Sequence, residues 1–391
     1  MLNSVLVDMG FIKKGWAPSL LLIIVIGVGS WVFTHPIATP GPDASASVSL
    51  ALTPRPASTT TLALTTSSGT NPLPIEHQIA LRKSIPLIKI ATTSTSQVVR
   101  IQNPYNSSPL PPETINVRAR AALVNILCAP RGGGSLSPIS GSGVIIDSQG
   151  VILTNAHVGQ YVLLSEVPEI DLSCTVRTGA PASAHWRARV LYISPSWVKK
   201  HALQLNEHRP IGSGEDDYAL LIITDSITGA PLPQTFSYLP IDPRPHIAFL
   251  DDPILIATYP AEFVGGLVTQ QNLYPASSFS TVQQFFTFGT GSVDLFSVGG
   301  VIEAQGGSSG GAVVNMWGYL VGIISTTSEG STTAARDLRA LSTNYIDTRL
   351  SVENGKNLAL LLASNLADEL LQFEKTQLPS LAGIYLSILK R

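Results

Sequence analysis

Residues 306–311 read Gly-Gly-Ser-Ser-Gly-Gly, and apolar, β-branched residues follow at once: Ala312-Val313-Val314-Asn315, a Met316-Trp317-Gly318 turn, then Tyr319-Leu320-Val321-Gly322-Ile323-Ile324. Glycine–serine runs are commonly linkers. A linker does not usually open straight into a hairpin. A tight turn does, and its glycines allow left-handed dihedrals and let backbone N–H groups point at a ligand. The stretch is therefore either a linker or a turn that presents a nucleophile, Ser308 or Ser309. A serine hydroxyl attacks an acyl carbon only when a base removes its proton. An imidazole does this best when a carboxylate fixes its tautomer and stabilises its cation.

Seven histidines are available. His35, His77, His185, His201, His208 and His246 lie beside polar or turn residues, and no His-Glu-x-x-His pattern or other ligand spacing accompanies them, so no metal is expected. His157 differs. It follows an alternating strand, Val151-Ile152-Leu153-Thr154, which is itself preceded by a Ser148-Gln149-Gly150 turn. The acid is sought in Asp216-Asp217-Tyr218-Ala219-Leu220-Leu221-Ile222-Ile223. Asp217 is the better of the two, because it is attached directly to the apolar strand that would fix its position.

The elements that must hold these groups are short apolar strands separated by Gly, Pro, Asn, Asp and Ser turns, from about residue 113 to residue 347. That spacing predicts an all-β barrel or sandwich. Residues 355–376 carry a helical period, with Leu358, Leu361, Leu362, Leu366, Leu370 and Leu371 along one side, and predict a C-terminal helix that closes the β-domain.

Gly-Ser-Gly-Val-Ile-Ile (residues 141–146), Thr-Asn-Ala-His-Val (154–158), Asp-Tyr-Ala-Leu-Leu (217–221) and Gly-Ser-Ser-Gly-Gly-Ala (307–312), in this chain order, resemble the chymotrypsin/trypsin-like serine peptidases. The closest likeness is to their bacterial high-temperature-requirement branch. The resemblance covers roughly residues 120–330. It implies a double β-barrel with the site between the barrels, Ser309 as nucleophile, His157 as general base and acid, and Asp217 orienting His157. It further implies an oxyanion hole made by the backbone N–H groups of Gly307 and Ser309, and protein or peptide substrates with no cofactor. Counting six residues back from Ser309 reaches Glu303, where an acid at the base of the primary pocket favours Lys or Arg before the scissile bond. Ser325, Thr326 and Thr327 would form the pocket wall and pair with substrate backbone. Ser308 stands where the family has Asn or Asp, and Ala312 where it has Pro. No Ile-Val-Gly-Gly-like start precedes the domain, so activation by a newly cut N-terminus is not expected. The residues after the barrels are too few for a PDZ domain.

The rest of the chain sets the surroundings. Charged residues make up 13% of it and the net charge is −2, which gives nucleic-acid binding no electrostatic support. Residues 17–33 form an apolar run after Lys13-Lys14, which reads as an uncleaved transmembrane signal anchor or a cleaved signal peptide, and either reading puts the remainder outside the cytoplasm. Residues 35–111 are rich in Ser, Thr and Pro and predict a disordered stalk, of which residues 79–101 are apolar enough to dock on the domain. Cys128 and Cys174 are either one disulfide or two separate buried thiols. The expected division is 1–34 anchor or signal peptide, 35–111 linker, 112–352 peptidase domain and 353–391 helical tail. Three competing readings are a catalytically silent binding or scaffold module on the same fold, a stalked adhesin or structural β-domain, and an esterase using the same three side chains.

Overall fold

The structure, a computed structural model, describes residues 88–89 and 103–390, except 133–135, 208–211, 246–247, 262–270, 290–291, 302 and 328–335. The apolar run at 17–33 and most of the expected stalk lie outside the described residues. Among those described, no helix is long and apolar enough to cross a membrane.

The chain enters as β1 (Ile88–Lys89) and α1 (Pro112–Ala122). Six strands follow: β2 (Leu123–Ala129), β3 (Ile139–Ile145), β4 (Val151–Thr154), β5 (Ser173–Thr178), β6 (Ser183–Ile193) and β7 (Ala219–Ser226). They close a barrel in the order β2-β3-β4-β7-β6-β5. Helix α2 (Ala156–Ser165) leaves β4, and α3 (Pro195–His201) leaves β6. Cys128 and Cys174 face each other in the β2/β5 register and are joined by a disulfide.

The second sheet comprises β8 (Pro253–Thr258), β9 (Ala276–Thr281), β10 (Gln284–Thr287), β11 (Leu295–Gly299), β12 (Ala312–Asn315), β13 (Leu320–Thr327) and β14 (Leu338–Ser342). Its order is β1-β10-β11-β14-β13-β12-β8-β9. Only Val282 and Gln283 separate β9 from β10, so the chain bends there and joins the two sides of the sheet into a second barrel-like unit. β1 adds to the outer edge of β10, with Ile88 opposite Thr287.

Alternation along the strands divides the core. Val124, Ile126 and Cys128 of β2 pack with Ile152, Leu221 and the apolar face of α2. Leu123, Val151, Leu153 and Leu220 point the other way, into a cluster shared with Leu255, Ala312, Leu320 and Leu341 of the second sheet. That shared cluster couples the two barrels. Each fully buried Leu or Ile in it contributes about 1.5–3 kcal/mol from leaving water.

Three expectations are refined. The all-β reading omits α1, α2 and α3. The helical tail starts at residue 343, ahead of the expected 353, and is four helices: α4 (Thr343–Asn354), α5 (Leu358–Leu362), α6 (Leu366–Thr376) and α7 (Leu378–Leu389). The period over 355–376 is broken because Asn357 and Asn365 each accept a backbone N–H at the start of a new helix. Leu358, Leu361 and Leu366 are buried, but Leu371 is 48% exposed. Finally, residues 103–110 belong to the folded domain: Tyr105 stacks on Tyr319 and donates to Asp242, and Leu110 N–H donates to Met316 O.

Candidate active site

β4 delivers the histidine. Gly150, at φ +88°, turns the chain into β4, and a Cβ there would press on Phe236 at 2.9 Å. β4 pairs with β7 on one side and β3 on the other, then runs through Asn155 into the first turn of α2, where His157 sits. The N–H groups of a first helical turn have no partner within the helix. That of His157 donates to Asp217 Oδ1 at 2.9 Å, and the ring Nδ1 lies 2.8 Å from Asp217 Oδ2. An ionised carboxylate only accepts, so Nδ1 carries the hydrogen and Nε2 keeps its lone pair.

Asp217 is fixed from several directions. It is 4% exposed. Its N–H donates to Gly214 O, its carbonyl accepts from Asn155 Nδ2, and Oδ2 also accepts from Ser325 Oγ at 2.9 Å. Burial works against both charges of the pair. The mutual attraction and hydrogen bonds overcome it: His157 is held above the usual histidine value, and Asp217 below the usual carboxylate value with help from its bond to Ser325. Neighbouring Asp216 has a different task. It sits at φ +58°, is buried, and is held by Arg349 Nε at 2.6 Å, Arg349 Nη2 at 3.0 Å and the Tyr345 hydroxyl at 3.0 Å, all from α4.

The serine turn is built differently. Gly307 and Gly310 have φ of +90° and +82°. A Cβ on Gly310 would lie 2.1 Å from Ser142 O, and one on Gly307 would lie 2.8 Å from Tyr259 O, so neither position accepts a side chain. The turn is pinned by its backbone: Gly306 O accepts from Ala261 N, Gly310 N donates to Ile324 O, Gly311 N donates to Ser308 O, and Ser309 O accepts from Ser142 N. Ser308 N donates to Gln305 O at 3.3 Å. Among the described residues, the N–H groups of Gly307 and Ser309 donate to no protein acceptor.

The two serines are distinguished by their surroundings. Ser308 is 1% exposed and donates its hydroxyl to Thr258 Oγ1 inside the second sheet. Ser309 is half-buried, and its hydroxyl has no hydrogen-bond partner among the described residues, His157 included. Two short links carry its turn toward the acid–base pair. Gly310 pairs with Ile324, next to the Ser325 that binds Asp217, and Ser309 pairs with Ser142, whose carbonyl accepts from Thr154 Oγ1 three residues before His157.

The specificity candidates are distributed unevenly. Glu303 is 0% exposed. Its Oε2 accepts from Ser278 Oγ at 2.7 Å, Oε1 is buried with no partner among the described residues, and burial pushes its carboxyl above the usual range. Ser325 is buried, and its side chain donates to Asp217. Thr326 and Thr327 continue β13 and pair with Arg339 and Leu338 of β14. Among the described residues, no cluster of three His, Cys, Asp or Glu side chains could hold a metal ion.

Tyr345 and Arg349 join the site from the structure alone. Ser142, Asn155 and Asp216 lie in stretches that the sequence singled out, and the structure gives them their supporting contacts.

Residues 141–323, from β3 to β13, match the family model of the trypsin-like peptidase domain. The chain thus carries a trypsin-like peptidase domain with its double β-barrel. No curated protein matches it.

Proposed function

We propose that this trypsin-like peptidase domain is an active serine endopeptidase, with Ser309, His157 and Asp217 as its catalytic residues. His157 Nε2 takes the Ser309 proton as Oγ attacks the scissile carbonyl carbon. The carbonyl electron pair moves onto oxygen, which receives the N–H groups of Gly307 and Ser309. The same proton then goes to the leaving amine, the C–N bond breaks, and an acyl-enzyme remains. Water, deprotonated by His157, attacks the acyl carbon; the acyl C–Oγ bond breaks, and His157 returns the proton to Ser309 Oγ. Asp217 stabilises the imidazolium formed at each step.

The observation that carries this reading is the pair of unsatisfied amides at Gly307 and Ser309, in a turn where the N–H groups of Ser308, Gly310 and Gly311 are all engaged. Donors aimed at a developing oxyanion are commonly the largest single electrostatic contribution to acyl transfer. One observation favours the silent binding module instead: the Ser309 hydroxyl makes no bond to His157. Such bonds tighten when substrate is present. Labelling the full chain with a fluorophosphonate and mapping the adduct separates the two. An adduct on Ser309 that is lost in Ser309→Ala supports the peptidase, whereas a folded chain that does not label supports the module.

Within the family, the Thr-Asn-Ala-His-Val and Gly-Ser-Ser-Gly-Gly motifs support the bacterial high-temperature-requirement branch. Glu303 is proposed to select Lys or Arg before the scissile bond, supported by its Oε1, which has no partner among the described residues. Glu303→Gln should lose that preference in peptide-library cleavage, and an unchanged profile removes Glu303 from the pocket. Location outside the cytoplasm, tethered by residues 17–33 or secreted after their removal, is supported by Lys13-Lys14 and by the disulfide. Protease shaving of intact cells tests it: protection of the domain would place it inside.

A further inference from the structure

We infer that Ser142, on β3 of the first barrel, is the positioning residue that sets the oxyanion hole in the second. The inference rests on the reading of Ser309 as nucleophile. Three consecutive peptide units make up the hole and its spacer. The first contributes Gly307 N–H, and its carbonyl, Gly306 O, is tied to Ala261 N at 2.7 Å. The third contributes Ser309 N–H, and its carbonyl, Ser308 O, is tied to Gly311 N at 2.9 Å. In a trans peptide the N–H and C=O point in opposite directions, so fixing each carbonyl aims the corresponding N–H.

The middle unit decides whether the outer two can stay in place together. Its N–H, on Ser308, makes only the long 3.3 Å contact to Gln305 O. Its carbonyl, Gly307 O, accepts from Ser142 Oγ at 2.8 Å. Gly307 is at φ +90°, where a glycine rotates with little resistance, so an external anchor is needed to hold one rotation. Ser142 is well placed to be that anchor. It is 0% exposed, its Oγ accepts from Tyr259 N at 2.9 Å, and this orients the hydroxyl hydrogen toward Gly307 O. Its own N–H holds Ser309 O at 2.7 Å, and Thr154 Oγ1 holds its carbonyl. One residue of the first barrel therefore grips the carbonyls of both residues whose amides are open. The hole is complete only when the two barrels are docked.

The test uses the full chain and 4-nitrophenyl acetate, a small ester that needs no peptide subsites. The burst amplitude counts working sites, and the burst rate measures acylation per site. Ser142→Ala should keep the wild-type amplitude and the wild-type pH midpoint, since His157 and Asp217 are untouched. The acylation rate per site should fall between about ten- and a hundred-fold, somewhat less than deleting an oxyanion donor outright. A per-site rate within about two-fold of wild type overturns the inference. So does a reduced amplitude with an unchanged rate, which would make Ser142 a purely structural residue. Should the alanine variant not fold, Ser142→Cys, a weak donor of similar shape, carries the same comparison: a smaller loss is expected, and no loss overturns it. A wild type that neither bursts nor labels overturns the nucleophile reading itself, and this inference with it.

Discussion

The proposed acid–base half of the site and the proposed nucleophile half are held by different kinds of contact. His157 and Asp217 are fixed by side chains: Asn155 and Ser325 donate to Asp217, and Gln160 donates from Nε2 to His157 O while its Oε1 accepts from the Tyr385 hydroxyl on α7. The Ser309 turn is fixed largely by backbone bonds and by glycine dihedrals, with the Ser142 hydroxyl as the notable side-chain exception. A side-chain lattice tunes charge, so it suits groups that exchange a proton. A backbone turn offers amides at fixed positions and contributes little else, which suits a group that attacks and stabilises an oxyanion. The two halves should therefore fail in different ways when altered.

Ser309→Ala should have the largest effect on activity and among the smallest on the fold. Loss of a nucleophile costs roughly 10⁴-fold or more in kcat. The hydroxyl makes no hydrogen bond among the described residues, so the Tm should match wild type. Residual kcat above a tenth of wild type would move the nucleophile elsewhere. Gly310→Ala comes next and tests the backbone half directly. Its Cβ meets Ser142 O at 2.1 Å at a positive φ. Strain and overlap together should destabilise the chain by about 3 kcal/mol, and activity should fall with the displaced Ser309. An alanine that leaves both Tm and kcat intact would show that the turn is not fixed by its dihedrals.

On the side-chain half, Arg349→Met removes a cation from buried Asp216, one residue before the acid. Breaking a fully buried pair costs about 3–5 kcal/mol, and the partial exposure of Arg349 reduces that to about 2. Tyr345 still donates to Asp216, so the turn should loosen rather than collapse. Chemical denaturation gives the stability loss. The accompanying fall in kcat should stay smaller than that of Gly310→Ala, and an equal or larger fall would erase the contrast between the halves.

How much of this was legible in the sequence follows the same division. His157, Asp217 and the Ser309 turn stand out because each combines a chemical residue type with a local pattern: a strand end, a strand start, and glycines where only glycine fits. The contacts that hold them do not. Arg349 lies 133 residues from Asp216, and Tyr385 lies 225 from Gln160. Such pairings leave no local signature, because each residue on its own reads as an ordinary helix-surface charge or core aromatic. Ser325 was visible, but its side-chain bond to Asp217 was not, since a serine at a strand end looks the same whether or not its hydroxyl faces an acid. The bend at Val282–Gln283 that closes the second barrel was also hidden, because it interrupts one strand without a glycine or proline to mark it. The division of the tail at Asn365 had a signal, an asparagine ahead of a fresh apolar run, which the continuous leucine period masks.

The smallest effect is the most specific to the side-chain half. His157 is held above its usual value, so its contribution to stability is complete below about pH 6.5 and is lost as pH rises through the higher folded value. Asp217 is held below its usual value, so its contribution is present above about pH 4 and is lost as pH falls through the lower folded value. The charged pair therefore stabilises the fold most between about pH 4 and 6.5. Catalysis needs the neutral imidazole, so activity should rise through a midpoint above that window. The Tm difference between wild type and Asp217→Asn, followed from pH 5 to 9 alongside the wild-type rate, should shrink over the range where the rate climbs. A difference that stays constant across that range would mean the pair is not charged in the folded chain at low pH. A rate midpoint below about 6.5 would mean that burial, rather than the carboxylate, sets the basicity of His157. No comparable pH signature is expected from the Ser309 turn, whose anchoring amides, carbonyls and hydroxyl do not titrate in this range.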